Sequence, residues 1–281
     1  MADLPEPDRA TESTRRVASR ALLVALAVYV GYAALALVPE PVGSVRHAVL
    51  VAAFYFLPGL VLRRDPARQA RYQVGPDSPL PPWSKRGSRL AFLACLLMFP
   101  PFVAGFLWFY AKVCAGDLSW LAPVVWVESF TPLHGGLERF FADLCVRHGG
   151  DVIPDQLRVP EHWRVFAGFG WVYELAVGLF AVALPEEVFH RGYLMSAFEE
   201  RWPAKRRLLG VPFGFAAVLS SLVFAVGHLV AMAAIARLAT FFPALVFAWL
   251  WRKSNSLWAP ALFHTASNLL MDVLIESTFP K

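Results

Sequence analysis

Long apolar runs, separated by short loops that carry Arg and Lys, dominate the pattern of this chain. Runs that could form membrane helices lie at residues 21–39, 48–62, 90–113, 212–232, 238–251 and 257–275. Residues 165–198 form an apolar region too long for one upright helix, and Pro185 predicts a kink or break within it. Because the runs are continuous rather than alternating, the pattern predicts an all-α, polytopic helical membrane protein with about seven (six to eight) transmembrane helices.

Composition supports a membrane protein, and it indicates that the net positive charge serves the membrane surface rather than nucleic acid. Of 281 residues, 57% are hydrophobic and 17% are charged, and the mean hydropathy is +0.50, whereas soluble domains carry about a quarter charged residues. The net charge of +5 comes from basic residues in loops beside apolar runs, where they set orientation and meet anionic lipid headgroups. We therefore expect the lipid bilayer as a partner and no nucleic acid.

The distribution of basic residues predicts the orientation. Residues 63–89, 201–207 and 252–253 hold clusters of Arg and Lys, so the positive-inside rule places them in the cytoplasm, with the N-terminus inside and the C-terminus outside. The apolar patch 118–127 is too short to span and predicts an interfacial or re-entrant helix on the outer side. If that patch did span, everything before it would have the opposite orientation.

These patterns suggest three regions. Residues 1–20 are expected to be a polar, disordered cytoplasmic segment, residues 21–164 N-terminal membrane helices, and residues 165–275 a catalytic helical core. Residues 34–36 loosely resemble a signal-peptide cleavage site, but a retained signal anchor is favoured because further apolar runs follow. The cysteines Cys95, Cys114 and Cys145 have no paired or metal-ligand spacing and are expected to be free thiols.

Six polar residues fall inside three of the apolar segments, and they are Glu186, Glu187, Arg191, His228, His264 and Asn268. An ionisable side chain in the hydrocarbon core costs several kcal/mol, so it is rarely there without a partner or a task. With a helical rise of about 1.5 Å per residue, all three segments can bring these groups to overlapping depths. The sequence therefore predicts one polar cavity within the membrane.

Spacing within the segments suggests pairs. Glu187 precedes Arg191 by four positions, the better order for a helical ion pair, although such a pair alone is more often packing than catalysis. His264 and Asn268 are also four apart and share a helix face. His190 could pair with Glu186 or face lipid headgroups. Any one of these residues could simply join helices by hydrogen bonds, but six at one level favour a site.

At these residues the chain resembles the CPBP family of CAAX-processing and bacteriocin-processing intramembrane proteases. The family pattern is Glu-Glu-x-x-x-Arg, then Phe-x-x-x-His, then His-x-x-x-Asn, and all three parts occur here in that order. His190 is a departure, since the family usually has an aromatic residue before the arginine. The resemblance covers about residues 165–275. One branch of the family, the myxosortases, is thought to cleave C-terminal sorting tails, and the chain could belong to that branch.

The resemblance implies roles for the six residues. Glu186 would be the general base that activates water, assisted by His228, while Glu187 and Arg191 would fix geometry and charge. His264 and Asn268 would donate hydrogen bonds to the oxyanion of the tetrahedral intermediate. The resemblance favours a metal-independent mechanism without a cofactor, but a zinc site formed by Glu186, His228 and His264 stays open.

The leading hypothesis is an intramembrane endopeptidase in a bacterial inner membrane. Its substrate would be a membrane-anchored or lipid-modified protein or peptide, with a C-terminal sorting tail, a CAAX-like end or a bacteriocin-type sequence. The alternative is a non-catalytic membrane immunity factor, scaffold or transporter that uses the polar cluster for binding. The sequence predicts no particular oligomeric state.

Overall fold

A computed structural model describes residues 6–39, 45–75, 81–123, 126, 139–141, 145, 157–164 and 169–278. The chain divides into two compact units, the first formed by residues 1–92 and 176–265 and the second by residues 93–175 and 266–281. Within the described residues, the structure is helical apart from a short antiparallel hairpin of β1 (Arg207–Leu208) and β2 (Val211–Pro212).

The longer helices follow the apolar runs. They are α1 (Glu6–Leu35), α2 (Arg46–Val61), α3 (Pro66–Tyr72), α4 (Lys85–Cys114), α5 (described below), α6 (Phe215–Met232), α7 (Phe241–Ser254) and α8 (Trp258–Thr278). Short 3₁₀ segments occur at Ser119–Leu121, Glu161–Arg164 and Ile235–Thr240.

Helix α5 is a continuous run that changes its winding. It consists of Gly170–Val177, Gly178–Ala183, Leu184–Glu187, Val188–Met195 and Ser196–Arg201, of which the second and fourth are π-helical. The chain therefore does not break at Pro185. Instead, Pro185 lies in a short α-helical segment between two π-helical ones, and π segments inside α-helices often occur at functional sites.

The described chain contains four segments that are long and apolar enough to cross a membrane, namely Ser13–Leu35, Lys85–Cys114, Phe215–Met232 and Ile235–Ser254. The other three predicted segments are also helical, as α2, α5 and α8. The prediction of an all-α, polytopic membrane protein is confirmed, whereas the count of seven spans and the orientation stay predictions.

One expectation about the N-terminal half was wrong, and another falls partly outside the described residues. Helix α1 begins at Glu6, so the expectation of disorder was wrong for residues 6–20. The predicted interfacial patch 118–127 includes the 3₁₀ turn Ser119–Leu121, but residues 124, 125 and 127 lie outside the described residues. The predicted start of the C-terminal core at residue 165 also lies outside them.

In the first unit, α1 packs against α5 and α6 through a narrow stripe. Ala18, Ala21, Ala25 and Tyr29 are buried at intervals of three and four residues, so they lie on one helical face. Small side chains on that face allow helix backbones to approach closely. Tyr29 is the next buried residue on the same face and has a large side chain.

The basic loops of the first unit meet at one end of its helices. Arg68 pairs with Glu200 at 3.0 Å, and Arg252 pairs with Glu199 at 3.1 Å. Gln73 donates a hydrogen bond to the carbonyl oxygen of Asn255 at 2.7 Å. The three loops predicted to be cytoplasmic therefore share one face, as the positive-inside interpretation requires.

In the second unit, the cysteine prediction was wrong for two of three residues. Cys114 and Cys145 form a disulfide, with their Cα atoms 5.4 Å apart, and Cys95 is a free thiol. The 31-residue separation carries no local signal, because the pairing depends on how the chain folds back to the end of α4.

Candidate active site

The most deeply buried part of the site is an ion pair on α5. Arg191 Nε lies 3.1 Å from Glu187 Oε2, and both side chains are 0% exposed. Two charges in such a place must compensate each other, because an unpaired one would cost several kcal/mol. The four-residue spacing seen in the sequence therefore produces the predicted pair.

Helices α6 and α7 enclose the guanidinium of Arg191. Its carbon lies 4.6 Å from the ring centre of Phe224 and 5.1 Å from that of Phe247, so the cation stacks between two aromatic faces. A terminal nitrogen also donates to the carbonyl oxygen of Ala244 at 3.0 Å. Arg191 thus joins three helices.

His264 connects this pair to α8. Its Nδ1 atom lies 3.1 Å from Glu187 Oε1, and its ring stacks on Phe247 with ring centres 4.6 Å apart. A carboxylate accepts hydrogen bonds, so Nδ1 carries the hydrogen and the Nε2 atom is directed elsewhere.

Glu186 lies where both histidines meet. Its Oε2 atom is 3.9 Å from Nε2 of His228 and 3.8 Å from Nε2 of His264. The same oxygen is buried and accepts no hydrogen bond from the described residues. A buried oxygen without a partner, facing two imidazole nitrogens, is an unsatisfied acceptor that a reacting group can use.

His228 is held in the same manner as His264. Its Nδ1 atom donates to the carbonyl oxygen of Phe224 at 3.0 Å, and its ring packs on Phe224. Because a carbonyl oxygen only accepts, the neutral ring presents an unprotonated Nε2 towards Glu186. Phe224 and His228 are the ends of the Phe-x-x-x-His sequence. The phenylalanine of that sequence therefore packs on the histidine ring and accepts its Nδ1 hydrogen bond.

Exposure separates reacting from supporting groups. The side chains of Glu186 and His228 are 17% and 21% exposed, whereas those of Glu187 and Arg191 are fully buried. A substrate or water molecule can therefore reach Glu186 and His228 but not the ion pair beneath them.

The structure brings five of the six predicted residues into one cluster, as the depth argument anticipated. Asn268 follows His264 by one turn on α8, belongs to the second unit and has an exposed side chain. Its place in the site stays a prediction.

Sequence reasoning missed Tyr29, Phe247 and the main-chain contact of His190. His190 Nδ1 lies 2.8 Å from the carbonyl oxygen of Glu186, and its Nε2 lies 2.8 Å from Tyr29 Oη. It therefore neither bonds the Glu186 carboxylate nor faces headgroups. The one available signal was His190 itself, since a histidine inside an apolar helix requires a polar partner.

Comparison with known proteins decides which family this arrangement belongs to. Residues 168–270, more than a third of the chain, match the family model for type II CAAX prenyl endopeptidase Rce1-like proteins. This segment is similar to the CPBP family. The match includes all six predicted site residues but does not distinguish the myxosortase branch. No curated protein and no solved structure matches the chain.

Similarity to a CAAX protease family, combined with the helices that could span a membrane, indicates the coarse function. The chain is a multi-pass membrane protein that carries a segment similar to a protease family. Its five clustered residues supply one acceptor oxygen, two imidazoles and a fully buried ion pair, with Glu186 and His228 partly exposed.

Proposed function

We propose that this protein hydrolyses a peptide bond in a membrane-anchored or lipid-modified protein or peptide, using a water molecule activated by Glu186. The observation that carries the proposal is the buried Oε2 atom of Glu186, which accepts no hydrogen bond from the described residues and faces Nε2 of both His228 and His264. A general base needs this kind of free acceptor within reach of water.

The chemistry proceeds in two steps. Glu186 takes a proton from water as the water oxygen bonds to the peptide carbonyl carbon, and the carbonyl electron pair moves onto its oxygen. The C–N bond of the resulting tetrahedral intermediate then breaks, and protonated Glu186 returns the proton to the leaving nitrogen. The products are a carboxylic acid and an amine, which become a carboxylate and an ammonium group when the proton of the acid passes to the amine, so atoms and charge balance.

His228 assists by orienting water. Its Nδ1 hydrogen is held by the carbonyl oxygen of Phe224, so in the neutral ring Nε2 accepts a hydrogen bond. Water placed between Nε2 of His228 and the Glu186 carboxylate would donate one hydrogen to each, leaving an oxygen lone pair for attack.

The oxyanion is stabilised from the side of α8. Because Nδ1 of His264 donates to Glu187, its Nε2 can donate only when the ring is an imidazolium. His264 and Asn268 would be the donors, which act at the charge that develops in the transition state.

Zinc is the alternative source of activation. Glu186, His228 and His264 are suitable ligand types, and each histidine donates Nδ1 to a carbonyl or carboxylate, as metal-binding histidines commonly do. In the part of the chain that the structure describes, however, no group of three or more such side chains is placed to hold a metal ion together. We propose the metal-independent mechanism because the unbonded Oε2 atom of Glu186 is an acceptor that can take a proton from water.

The proposed location is a bacterial inner membrane, and the proposed substrates carry a C-terminal sorting tail, a CAAX-like end or a bacteriocin-type sequence. The test uses the full-length protein in lipid nanodiscs with three peptide sets: prenylated CAAX peptides, unmodified tails with an apolar stretch and basic end, and bacteriocin precursors. Mass spectrometry would identify products, with a chelator and metal analysis in parallel.

We expect cleavage at one bond in one peptide set, retained in the presence of chelator by protein that contains no metal. Loss of activity with chelator, restored by added zinc, would overturn the metal-independent mechanism. Peptides that bind without any cleavage would overturn the protease proposal and support the non-catalytic alternative.

A further inference from the structure

Helix α1 contributes a buried tyrosine that touches both catalytic segments. The hydroxyl of Tyr29 lies 2.8 Å from Nε2 of His190, and Nδ1 of His190 lies 2.8 Å from the main-chain carbonyl of Glu186. A chain of two hydrogen bonds therefore runs from α1 to the residue that carries the proposed general base.

The direction of these bonds follows from the acceptor at one end. A carbonyl oxygen cannot donate, so Nδ1 of His190 carries the hydrogen that bonds Glu186. In the neutral ring, Nε2 is then an acceptor, and Tyr29 donates to it. The carbonyl of Glu186 consequently fixes the tautomer, and the hydroxyl of Tyr29 holds the orientation of the His190 ring.

His190 acts at the point where the winding of α5 changes. Glu186 lies in the α-helical segment Leu184–Glu187, and His190 lies in the π-helical segment Val188–Met195. Its side chain thus bonds the main chain of Glu186 across this transition, while Ser220 of α6 donates to the His190 carbonyl at 2.7 Å. Hydrogen bonds therefore hold the main-chain carbonyls at both ends of the turn from Glu186 to His190.

Tyr29 also lies against the helix that carries His228. A Cβ atom built on Gly227 would lie 2.1 Å from Tyr29 Oη and 2.2 Å from Cζ. The tyrosine therefore occupies the space above the residue that immediately precedes His228. One side chain of α1 contacts both α5 and α6 at the level of the site.

We propose that Tyr29 is a positioning residue of the active site, acting through His190 on the main chain of Glu186 and through Gly227 on His228. This inference rests on the proposed hydrolysis by Glu186. It assigns part of the site to α1, which lies outside residues 168–270 that match the family. The segment 168–270 alone would then lack a component of its own active site.

The chain contains a matched control on the same helix. Tyr32 lies one turn after Tyr29, and its hydroxyl is 2.9 Å from Nε2 of His47. Both tyrosines make the same kind of hydrogen bond, but neither Tyr32 nor His47 contacts Glu186 through the bonds that the structure describes. The Tyr32 hydroxyl also donates to the carbonyl oxygen of Ala231, at the end of α6, at 3.4 Å. Tyr32→Phe therefore measures the loss of a tyrosine hydroxyl that reaches α6 but has no bond to His190.

The first experiment compares full-length Tyr29→Phe and Tyr32→Phe in lipid nanodiscs. We expect Tyr29→Phe to lower kcat by about tenfold or more, at the scale of lost supporting hydrogen bonds around a reacting group, with KM unchanged. Tyr32→Phe should keep the wild-type kcat. Equal kcat for wild type and Tyr29→Phe, or equal losses in both variants, would overturn the proposal.

A double-mutant cycle separates positioning from simple packing. The His190 ring lies among the rings of Phe54, Phe189 and Phe224, so His190→Phe fits its surroundings. We expect Tyr29→Phe to cause no further loss of kcat in the His190→Phe background, because the bond it removes is already absent. Losses that multiply would show that the tyrosine acts independently of His190.

A spectroscopic measurement distinguishes failure of this inference from failure of the proposed function. Nitrogen-15 spectra of the seven histidines, with His190 assigned by its loss in His190→Phe, report the tautomer without any substrate. We expect an Nδ1-protonated ring whose Nε2 signal moves in Tyr29→Phe and stays unchanged in Tyr32→Phe. An unmoved signal would overturn the positioning role even in an active enzyme, whereas a moved signal in a protein without peptidase activity would overturn the proposed function alone.

Discussion

Nδ1 of His264 lies 3.1 Å from Oε1 of Glu187, while Nε2 of the same ring is directed at Glu186. One imidazole thus connects the sealed carboxylate to the partly exposed one. Glu187 in turn pairs with Arg191, so the two consecutive glutamates have different tasks. The buried glutamate sets charge and orientation, and the accessible one is available for chemistry.

The first prediction concerns Glu187. Glu187→Gln leaves Arg191 buried without its counter-charge, which costs about 3–5 kcal/mol, and replaces the carboxylate that accepts from Nδ1 of His264. We expect a lower free energy of unfolding and loss of peptidase activity, measured by thermal unfolding and by the cleavage assay.

Glu199→Gln is the matched control for that variant. Glu199 pairs with Arg252 at 3.1 Å, but Arg252 is 34% exposed, so the loss should be about 1 kcal/mol or less with activity retained. Equal stability and activity in the two variants would mean that the Glu187–Arg191 pair is not the support of the site.

The second prediction concerns Gly227. Gly227→Ala would place Cβ 2.1 Å from Tyr29 Oη, so α1 and α6 must separate. Overpacking of this kind costs about 1–3 kcal/mol, and we expect lower thermal stability together with reduced activity. Gly31→Ala on α1 meets no atom within 4 Å and should preserve both properties. A fully active, stable Gly227→Ala protein would contradict the packing of Tyr29.

The third prediction concerns the disulfide of the second unit. Disulfides persist in oxidising compartments, so the pair Cys114–Cys145 predicts that the end of α4 lies outside the cytoplasm. Alkylation of the denatured, non-reduced protein should modify Cys95 only, and reduction should release two more thiols. Three reactive thiols before reduction would contradict both the pairing and the side of the membrane.

The fourth prediction is a pH dependence at the basic face. Burial tends to raise the pKa of Glu200, but hydrogen bonds from Arg68 and Tyr72 and the charges of Arg68 and Arg71 outweigh it, so the pKa lies below its ordinary value of 4.5. A carboxyl with a lowered pKa stabilises the folded state above its unfolded pKa, and this contribution is lost as the pH falls through the folded pKa.

Glu200→Gln should therefore destabilise the protein at pH 7 by about 2 kcal/mol, the usual size for hydrogen bonds to a charged group. Unfolding measured between pH 7 and pH 3 should show the difference from wild type shrinking below pH 4.5. Arg71→Gln, at a side chain that is 63% exposed, should have a smaller effect. A difference independent of pH would mean that the charge of Glu200 is not responsible.

The helices and the meeting of Glu186, His228 and His264 could be predicted because each of the three segments carries its own signal. Apolar runs of membrane length specify helices, and polar residues inside them must meet partners. The order of Glu187 and Arg191 at four positions likewise predicted an ion pair that the structure contains.

Other features depend on contacts between distant segments, which one sequence does not encode locally. The pairing of Cys114 with Cys145 and the approach of Tyr29 to His190 join residues 31 and 161 positions apart. The start of α1 at Glu6 was missed because its first turns are polar, and the winding of α5 was missed because π-helical segments have no simple periodic signal.

The most direct test of the account is the cleavage rate of Glu186→Gln, compared with wild type and with Glu199→Gln under the same conditions. Glutamine preserves the size of the side chain but cannot take a proton from water. The account predicts that Glu186→Gln cleaves about 10²-fold to 10⁴-fold more slowly, the range for loss of a general base, while Glu199→Gln cleaves at the wild-type rate. A wild-type rate in Glu186→Gln would contradict the assignment of Glu186 as the group that activates water.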